Sequence, residues 1–128
     1  MREVNLHISK KAEWLALSVD NTTEVNLRID THSGSPYFVD WGDGIVESYT
    51  SGQTTTKIYT TNFTGVVRVA TPMGLSDISR FQSAGSTAWS FDLSVFVTLT
   101  GLTYFLLNNL PNANIDGSLN SFSGATGL

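Results

Sequence analysis

The 128-residue chain contains no cysteine, which excludes disulfide bridges, thiolate metal sites and cysteine nucleophiles. Small secreted eukaryotic domains often depend on disulfides, so their absence favours a bacterial or phage origin. Charge is scarce as well. Asp, Glu, Lys and Arg make up 14% of the residues, where about a quarter is usual. Polarity comes instead from Ser, Thr and Asn, as in many β-rich surface proteins.

Basic residues and long apolar runs are also lacking. The seven Lys and Arg residues are scattered and form no stripe, so we expect no nucleic-acid partner. No run approaches the roughly 20 apolar residues of a membrane-spanning helix, so we expect no membrane insertion. Asn5, His7, Lys10, Lys11 and Glu13 interrupt the apolar stretch that a secretory signal requires. We therefore expect a cytosolic protein, a processed piece, or a protein that reaches a surface without such a signal, as phage virion proteins do on lysis.

Alternating apolar and polar side chains predict strands in the first part of the chain, at positions 1–80. In "EVNLRID", Val25, Leu27 and Ile29 share one face and polar side chains share the other. Other strands are predicted in "EWLALSV", "YFVDW", "IVESY", "KIYTT" and "GVVRVAT", with turns at "DNTT", "THSGSP", "GDG" and "SGQTTT". About seven short strands at a spacing of roughly ten residues are typical of a β-sandwich.

An internal repeat follows this region. "LSVFVTLTGL" (93–102) recurs as "LNSFSGATGL" (119–128), and five of the ten aligned positions are identical, from Leu93 and Leu119 to Leu102 and Leu128. The two segments are 26 residues apart. This separation lies within the range of solenoid repeats, in which stacked coils bury a ladder of apolar side chains. The ladder would comprise Leu99, Leu102, Phe105, Leu107, Leu110, Ile115 and Leu119. The alternative is a pair of similar amphipathic helices, which Pro111 and Gly117 disfavour.

The stretch "YFVDWGDG" (37–44) places two carboxylates beside two glycines. Trp41, Gly42, Asp43 and Gly44 fit a tight hairpin turn, since Gly accepts positive φ and Asp binds turn amides. The alternatives are a Ca²⁺ site on Asp40 and Asp43, or catalysis. Calcium loops usually supply three or more oxygen side chains, and this stretch offers two. We therefore favour the turn and expect no cofactor.

Catalytic patterns are weak elsewhere. His32 lies near Asp30, Ser33 and Ser35, but a Ser–His–Asp triad depends on geometry that local crowding does not establish. His7 and His32 are 25 residues apart, and the sequence shows no third ligand for them. They therefore make a poor candidate for a zinc site. No phosphate-binding glycine loop is present. We expect no catalytic residues.

Aromatic side chains are the remaining candidates for a contact surface. Most tryptophans in sandwiches are core residues, and we expect this of Trp14 and Trp41. Trp89 and Tyr104 are the candidates for contact with a partner, including stacking on a sugar ring.

The first part of the chain resembles the PKD (polycystic-kidney-disease-like) domain family, over roughly residues 3–80. Trp41-Gly42-Asp43-Gly44 matches the family's GDG turn. Lys57-Ile58-Tyr59, Gly65 and Val66–Val69 match its later tyrosine, glycine and final strand. The resemblance implies an immunoglobulin-like β-sandwich that serves as a spacer or as a protein- or glycan-contact module.

The last part looks like a leucine-rich repeat, with departures at Asn108 and Ala113. The matching residues are Leu102, Phe105, Leu110, Ile115, Gly117 and Leu119. Sandwiches of this kind leading into such repeats are similar to large surface proteins of bacteria and their phages.

We therefore expect an all-β chain. An immunoglobulin-like (PKD-like) β-sandwich at 1–80 would lead through a junction at 81–92 into a short, uncapped leucine-rich-repeat-like segment at 93–128. The expected function is a non-enzymatic structural or binding module of a surface assembly, with a phage decoration, fibre or spike protein favoured. The alternatives are a fragment of a bacterial adhesin and a carbohydrate-binding accessory domain of a glycosidase. The expected partners are assembly proteins, including copies of the chain, and glycans, at a virion or cell surface.

Overall fold

A computed structural model describes residues 13–107, 114–117 and 122–128. The strands are β1 (Leu15–Thr31), β2 (Tyr37–Asp40), β3 (Val46–Tyr49), β4 (Thr54–Ala70), β5 (Ile78–Ser83), β6 (Ser90–Asp92), β7 (Tyr104–Leu107) and β8 (Asn114–Asp116). Two short 3₁₀ helices span Leu75–Asp77 and Leu93–Thr98. The predicted all-β class is confirmed.

The two longest strands each replace two predicted ones. The prediction of a turn at "DNTT" is wrong, because Asp20–Thr23 lies inside the 17-residue β1. The pairing of β1 with β4 shifts register on both sides of Thr22, and Asn21 has a φ of 58°. Asn tolerates positive φ, so these turn-forming residues build a β-bulge and the chain does not reverse. "KIYTT" and "GVVRVAT" likewise merge into the 17-residue β4.

The bulged pair of β1 and β4 organises a six-stranded mixed sheet of order β3-β2-β4-β1-β5-β7. The C-terminal half of β4 pairs with β2, as Val69 does with Val39. The C-terminal half of β1 pairs with β5, as Ile29 does with Phe81. Leu15, Leu17 and Val19 are buried before the bulge, and Val25, Leu27 and Ile29 are buried after it. One hydrophobic core therefore runs along the whole strand.

The C-terminal region forms coils with a regular step. β5 pairs in parallel with β7, and β6 with β8, so that partners such as Arg80 and Tyr104 lie 24 positions apart. Phe81 stacks on Phe105, with ring centroids 5.7 Å apart, and Phe96 stacks on Phe122 at the same distance. The described residues of this region form strands and 3₁₀ turns, so the alternative of paired helices is wrong.

The internal repeat is visible in backbone hydrogen bonds. The N–H of Leu99 donates to Phe96, and that of Leu102 to Leu99, at 2.9 and 3.2 Å. At the equivalent positions of the second unit, the N–H of Ala125 donates to Phe122 and that of Leu128 to Ala125, at the same two distances. The same tandem turn occurs earlier, from Thr71 through Gly74 to Asp77. Three turns with the same hydrogen-bonding pattern therefore succeed one another at nearly equal steps along the chain.

The sheet does not break where the sequence pattern predicts a boundary. β5 crosses position 80 and pairs with β1 on one side and β7 on the other. Phe81, Trp89 and Phe91, from the predicted junction, are buried in the common core. The division at 80 and 93 stays a prediction, but the two parts share one sheet.

Most of the predicted apolar ladder can be located. Leu99 and Leu102 are buried, while Phe105, Leu107 and Ile115 are partly buried against the core. Leu110 and Leu119, as well as Asn108, Ala113 and the N-terminal residues 3–12, lie outside the described residues.

Phe96 should be a main support of the coils, because its ring contacts those of Phe81, Phe91, Phe105 and Phe122. We expect Phe96→Ala to lower the free energy of unfolding by about 3–5 kcal/mol. The adjacent Val97 is 56% exposed, so Val97→Ala should cost less than about 0.5 kcal/mol. Urea denaturation followed by tryptophan fluorescence measures both, and equal losses would contradict this packing.

Candidate functional site

The "GDG" stretch forms the turn between β2 and β3. Gly42 and Gly44 have φ values of 85° and 92°. The Asp40 carboxylate accepts a hydrogen bond from the Gly42 N–H at 2.9 Å, and Asp43 accepts one from Ile45 at 3.2 Å. The N–H of Trp41 donates to the carbonyl of Ile45. These are the bonds that the turn interpretation requires.

The charge of Asp43 is already compensated. Its second carboxylate oxygen lies 2.8 Å from Lys57 Nζ in a partly buried ion pair. Asp40 and Asp43 thus direct one oxygen each to turn amides, and a cation at Asp43 would have to displace Lys57. Across residues 13–107, 114–117 and 122–128, no group of three or more His, Asp or Glu side chains is placed to hold a metal ion.

Residues named by the PKD resemblance gather around this turn. Trp41 is fully buried, and its indole N–H donates to Glu47 at 2.9 Å. The Tyr59 hydroxyl donates to the Trp41 carbonyl at 2.8 Å, and its ring stacks on Phe63. Burial, with the nearby Asp43 and Asp40 carboxylates, raises the pKa of Tyr59 above its ordinary value. The motif is therefore built into the packing of β2 against β4.

His32 takes part in a clamp between the β1–β2 loop and the coils. Its Nε2 lies 2.7 Å from the carbonyl of Gly101, which can only accept, so this nitrogen carries the proton. The Ser33 hydroxyl donates to Asp77 at 2.6 Å, and the Ser33 N–H donates to the other oxygen at 3.1 Å. Asp30 binds Arg28 instead. The His32 ring is thus held by a backbone carbonyl, and no Ser–His–Asp relay forms here.

The two predicted contact aromatics differ sharply. Trp89 is fully buried beside Phe81 and Phe91, and its indole N–H donates to Ser83 at 2.9 Å. The expected contact role is therefore corrected, and Trp89 is a core residue. Tyr104 is 40% exposed, and the guanidinium carbon of Arg80 lies 3.9 Å from its ring centroid. Trp14 is half-buried just before β1.

The outward side of the sheet carries a continuous surface across four strands, which we call the polar face. Its side chains alternate along the strands with core residues such as Leu27 and Phe81. It comprises Thr54 and Thr56 on β4, Asn26, Arg28 and Asp30 on β1, Arg80 and Gln82 on β5, and Tyr104 and Leu106 on β7. The face thus extends from the predicted sandwich onto the predicted repeat.

A charged row crosses the polar face. Arg28 donates to both oxygens of Asp30, at 2.9 and 3.2 Å. Arg80 Nε lies 3.8 Å from the same carboxylate, and its Nη1 donates to Gln82 at 3.0 Å. Two guanidinium groups therefore share one carboxylate beside the exposed Tyr104 ring.

Sequence spacing alone did not identify this row. Arg28, Arg80 and Tyr104 are far apart in the chain and meet because Asp30 pairs with Arg80 and Arg80 with Tyr104. The alternation in "EVNLRID" does place Arg28 and Asp30 on the outward side of β1. The neighbours across the strands follow only from the sheet order.

Comparison with protein-family models, curated proteins and solved structures finds no match to this chain. Among the residues that the model describes, no helix is both long and apolar enough to span a membrane.

The turn glycines should differ in their tolerance of a side chain. A Cβ at Gly42 would lie 2.6 Å from the Val66 carbonyl and 2.7 Å from the Phe63 ring, whereas one at Gly44 would meet nothing within 4 Å. Gly44→Ala should therefore cost about 1–2 kcal/mol for positive φ alone. Gly42→Ala adds the clash and should cost clearly more. Paired urea denaturation curves measure the difference, and equal costs would contradict the close approach of β4.

Stability should fall at alkaline pH. Burial raises the pKa of both Tyr37 and Tyr59 in the folded chain, whereas unfolded tyrosine ionises near pH 10. Because the folded pKa is raised, this stabilisation is complete below about pH 10 and is lost as pH rises towards the folded values. Urea midpoints between neutral pH and about pH 11 should show a decline that a Tyr37→Phe/Tyr59→Phe variant shows less steeply. Phenolate absorbance from both rings at about pH 11, in protein that is still folded, would contradict the raised pKa of Tyr37 and Tyr59.

Proposed function

We propose that this chain is a non-enzymatic structural and binding module of a surface assembly, built as an immunoglobulin-like (PKD-like) β-sandwich that leads into leucine-rich-repeat-like coils. The observation that carries the proposal is the continuity of the sheet from β4 and β1 through β5 to β7. It makes one extended outward surface from two kinds of architecture.

The sandwich assignment is supported by the bulged pair of β1 and β4. One half of the pair carries β2 and β3, and the other carries β5 and β7. Bulges commonly let strands pass from one layer of a sandwich to another. The Tyr59–Trp41 hydrogen bond ties β4 to the end of β2 and joins two of the segments on which the PKD resemblance rests.

The repeat assignment is supported by the 24-residue step of the parallel strands and by the stacked phenylalanines. A coil cannot bury its apolar face alone and needs a neighbour on each side. β5 is paired with β1, so the sandwich supplies the first neighbour for the coils. The clamp of His32 and Ser33 adds polar bonds to the same junction.

A rigid contact module is favoured over an enzyme because the candidate catalytic groups are already engaged in structural bonds. Asp43 pairs with Lys57, His32 binds a backbone carbonyl, and Ser33 binds Asp77. A phage virion remains our preferred setting, ahead of a bacterial adhesin, on the strength of the resemblance and composition. A carbohydrate-binding accessory domain is the second candidate, because Tyr104 is exposed on the polar face.

Self-association tests the assembly proposal. β3 and β7 are the edge strands of the six-stranded sheet, and such edges recruit further strands. We expect a discrete oligomer in sedimentation velocity over about a hundredfold range of concentration. Ser48→Lys, at the centre of β3, should weaken an oligomer formed through that edge, whereas Thr61→Lys on β4 should leave it unchanged.

A monomer at every concentration that binds the dye ANS strongly would contradict an assembly component and indicate an exposed apolar surface. A discrete oligomer insensitive to Ser48→Lys would place the contact away from β3 while supporting the proposed function.

A further inference from the structure

We infer that the polar face binds a carboxylate-bearing glycan, with Arg80 contacting the carboxylate and Tyr104 packing against the sugar ring. This inference rests on the proposed function as a contact module and adds the chemical class of a partner. It is carried by the local charge, by the stacking of Arg80 and by the composition of the surrounding surface.

The charge around Tyr104 is opposite to that of the whole chain. The chain has a formal net charge of −4, yet two guanidinium groups converge on one carboxylate at Asp30. Arg28 satisfies both oxygens of Asp30. Arg80 stands farther away, at 3.8 Å, which exceeds ordinary hydrogen-bond length. The surplus positive charge therefore lies with Arg80.

Arg80 is held in place but retains donors. Its contact with the Tyr104 ring and its hydrogen bond to Gln82 restrict the side chain. Among the described residues, no hydrogen-bond partner is present for its other terminal nitrogen, Nη2. A guanidinium held on an aromatic ring loses little further entropy when its remaining N–H groups bind a carboxylate. The side chain is 27% exposed, which leaves it accessible to a ligand.

The surrounding groups favour a glycan over an acidic peptide. Thr54, Thr56 and Gln82 supply neutral hydroxyl and amide groups next to the charged row, while Asn26 is held by hydrogen bonds to Thr56 and Ala84. Such groups can exchange hydrogen bonds with sugar hydroxyls at little desolvation cost. Protein interfaces instead concentrate their energy in a desolvated apolar or aromatic centre. Leu106 is the one aliphatic member of the polar face and is only partly exposed.

The probe is a trimer of galacturonic acid, with its methyl ester as a matched uncharged sugar. Calorimetry at low salt should show binding of the acid and at least tenfold weaker binding of the ester. The ester is uncharged and cannot form an ion pair with the Arg80 guanidinium. Amide shifts in NMR spectra of the wild-type chain should concentrate on β1, β5 and β7. That readout requires no variant and therefore does not depend on a variant's folding.

Variants then test the named side chains. Arg80→Gln and Tyr104→Ala should each weaken binding about tenfold or more, since one removes the charge and the other removes the ring. Arg68→Gln makes the same charge change at an exposed position of β4, opposite Ala16 and Asp40. This variant should leave binding unchanged. If Arg80→Gln proves unstable, Arg80→Lys keeps the charge but loses the planar fork, and it should also bind more weakly.

Four outcomes would overturn the inference. These are no binding of the acid, equal binding of its ester, an equal loss of affinity with Arg68→Gln, and tighter binding of a poly-glutamate peptide, which would indicate an acidic protein partner instead. The test is independent of the assembly experiment. An oligomer without uronate binding leaves the proposed function in place, whereas uronate binding by a monomer favours the accessory-domain alternative.

Discussion

The pairing of β1 with β4 is the constraint on which the remaining structure depends. The two 17-residue strands hold their register on either side of the bulge at Asn21 and Thr22. One half of the pair gives β2 its neighbour, and the other half gives β5 its neighbour. Thr22 fixes the bulge from within, since its buried hydroxyl donates to Glu24 and accepts from Ala88. β1 and β4 together therefore join the GDG hairpin to the C-terminal region.

The shared sheet explains how a short run of coils can be ordered. An isolated coil leaves one apolar face in water. Here β5 lies between β1 and β7 and is hydrogen-bonded to both, so the first coil has a neighbour on each side. Phe81 links the two parts of the sheet, because it is buried with Ile29 in the core and stacks on Phe105 in the next coil. The close approach at Gly101, where a Cβ would clash with the Ser76 carbonyl, shows how tightly successive turns are packed.

The GDG hairpin illustrates how an acidic motif can be structural. Each of its carboxylates satisfies a backbone amide that would otherwise be left unpaired at a tight turn. Lys57 then compensates Asp43, and Tyr59 closes the turn onto β4 through the Trp41 carbonyl. The polar face is the opposite case. Its charges are common surface residues in the sequence, and their arrangement becomes unusual only when three strands align them.

Local patterns determined a large part of this protein. The period-2 alternation of Val25, Leu27 and Ile29 identified the core side of β1, the glycines marked the hairpin, and the internal repeat marked two segments whose turns at Phe96 and Phe122 have the same hydrogen bonds. These features depend on near neighbours and on solvent exclusion, which the sequence records directly. The prediction of a turn at Asp20–Thr23 was wrong because a β-bulge and a chain reversal favour the same small polar residues. Only the tertiary structure decided that Trp89 is buried and that Arg28, Arg80 and Tyr104 are neighbours, because strand order is set by long-range pairing that no local spacing encodes.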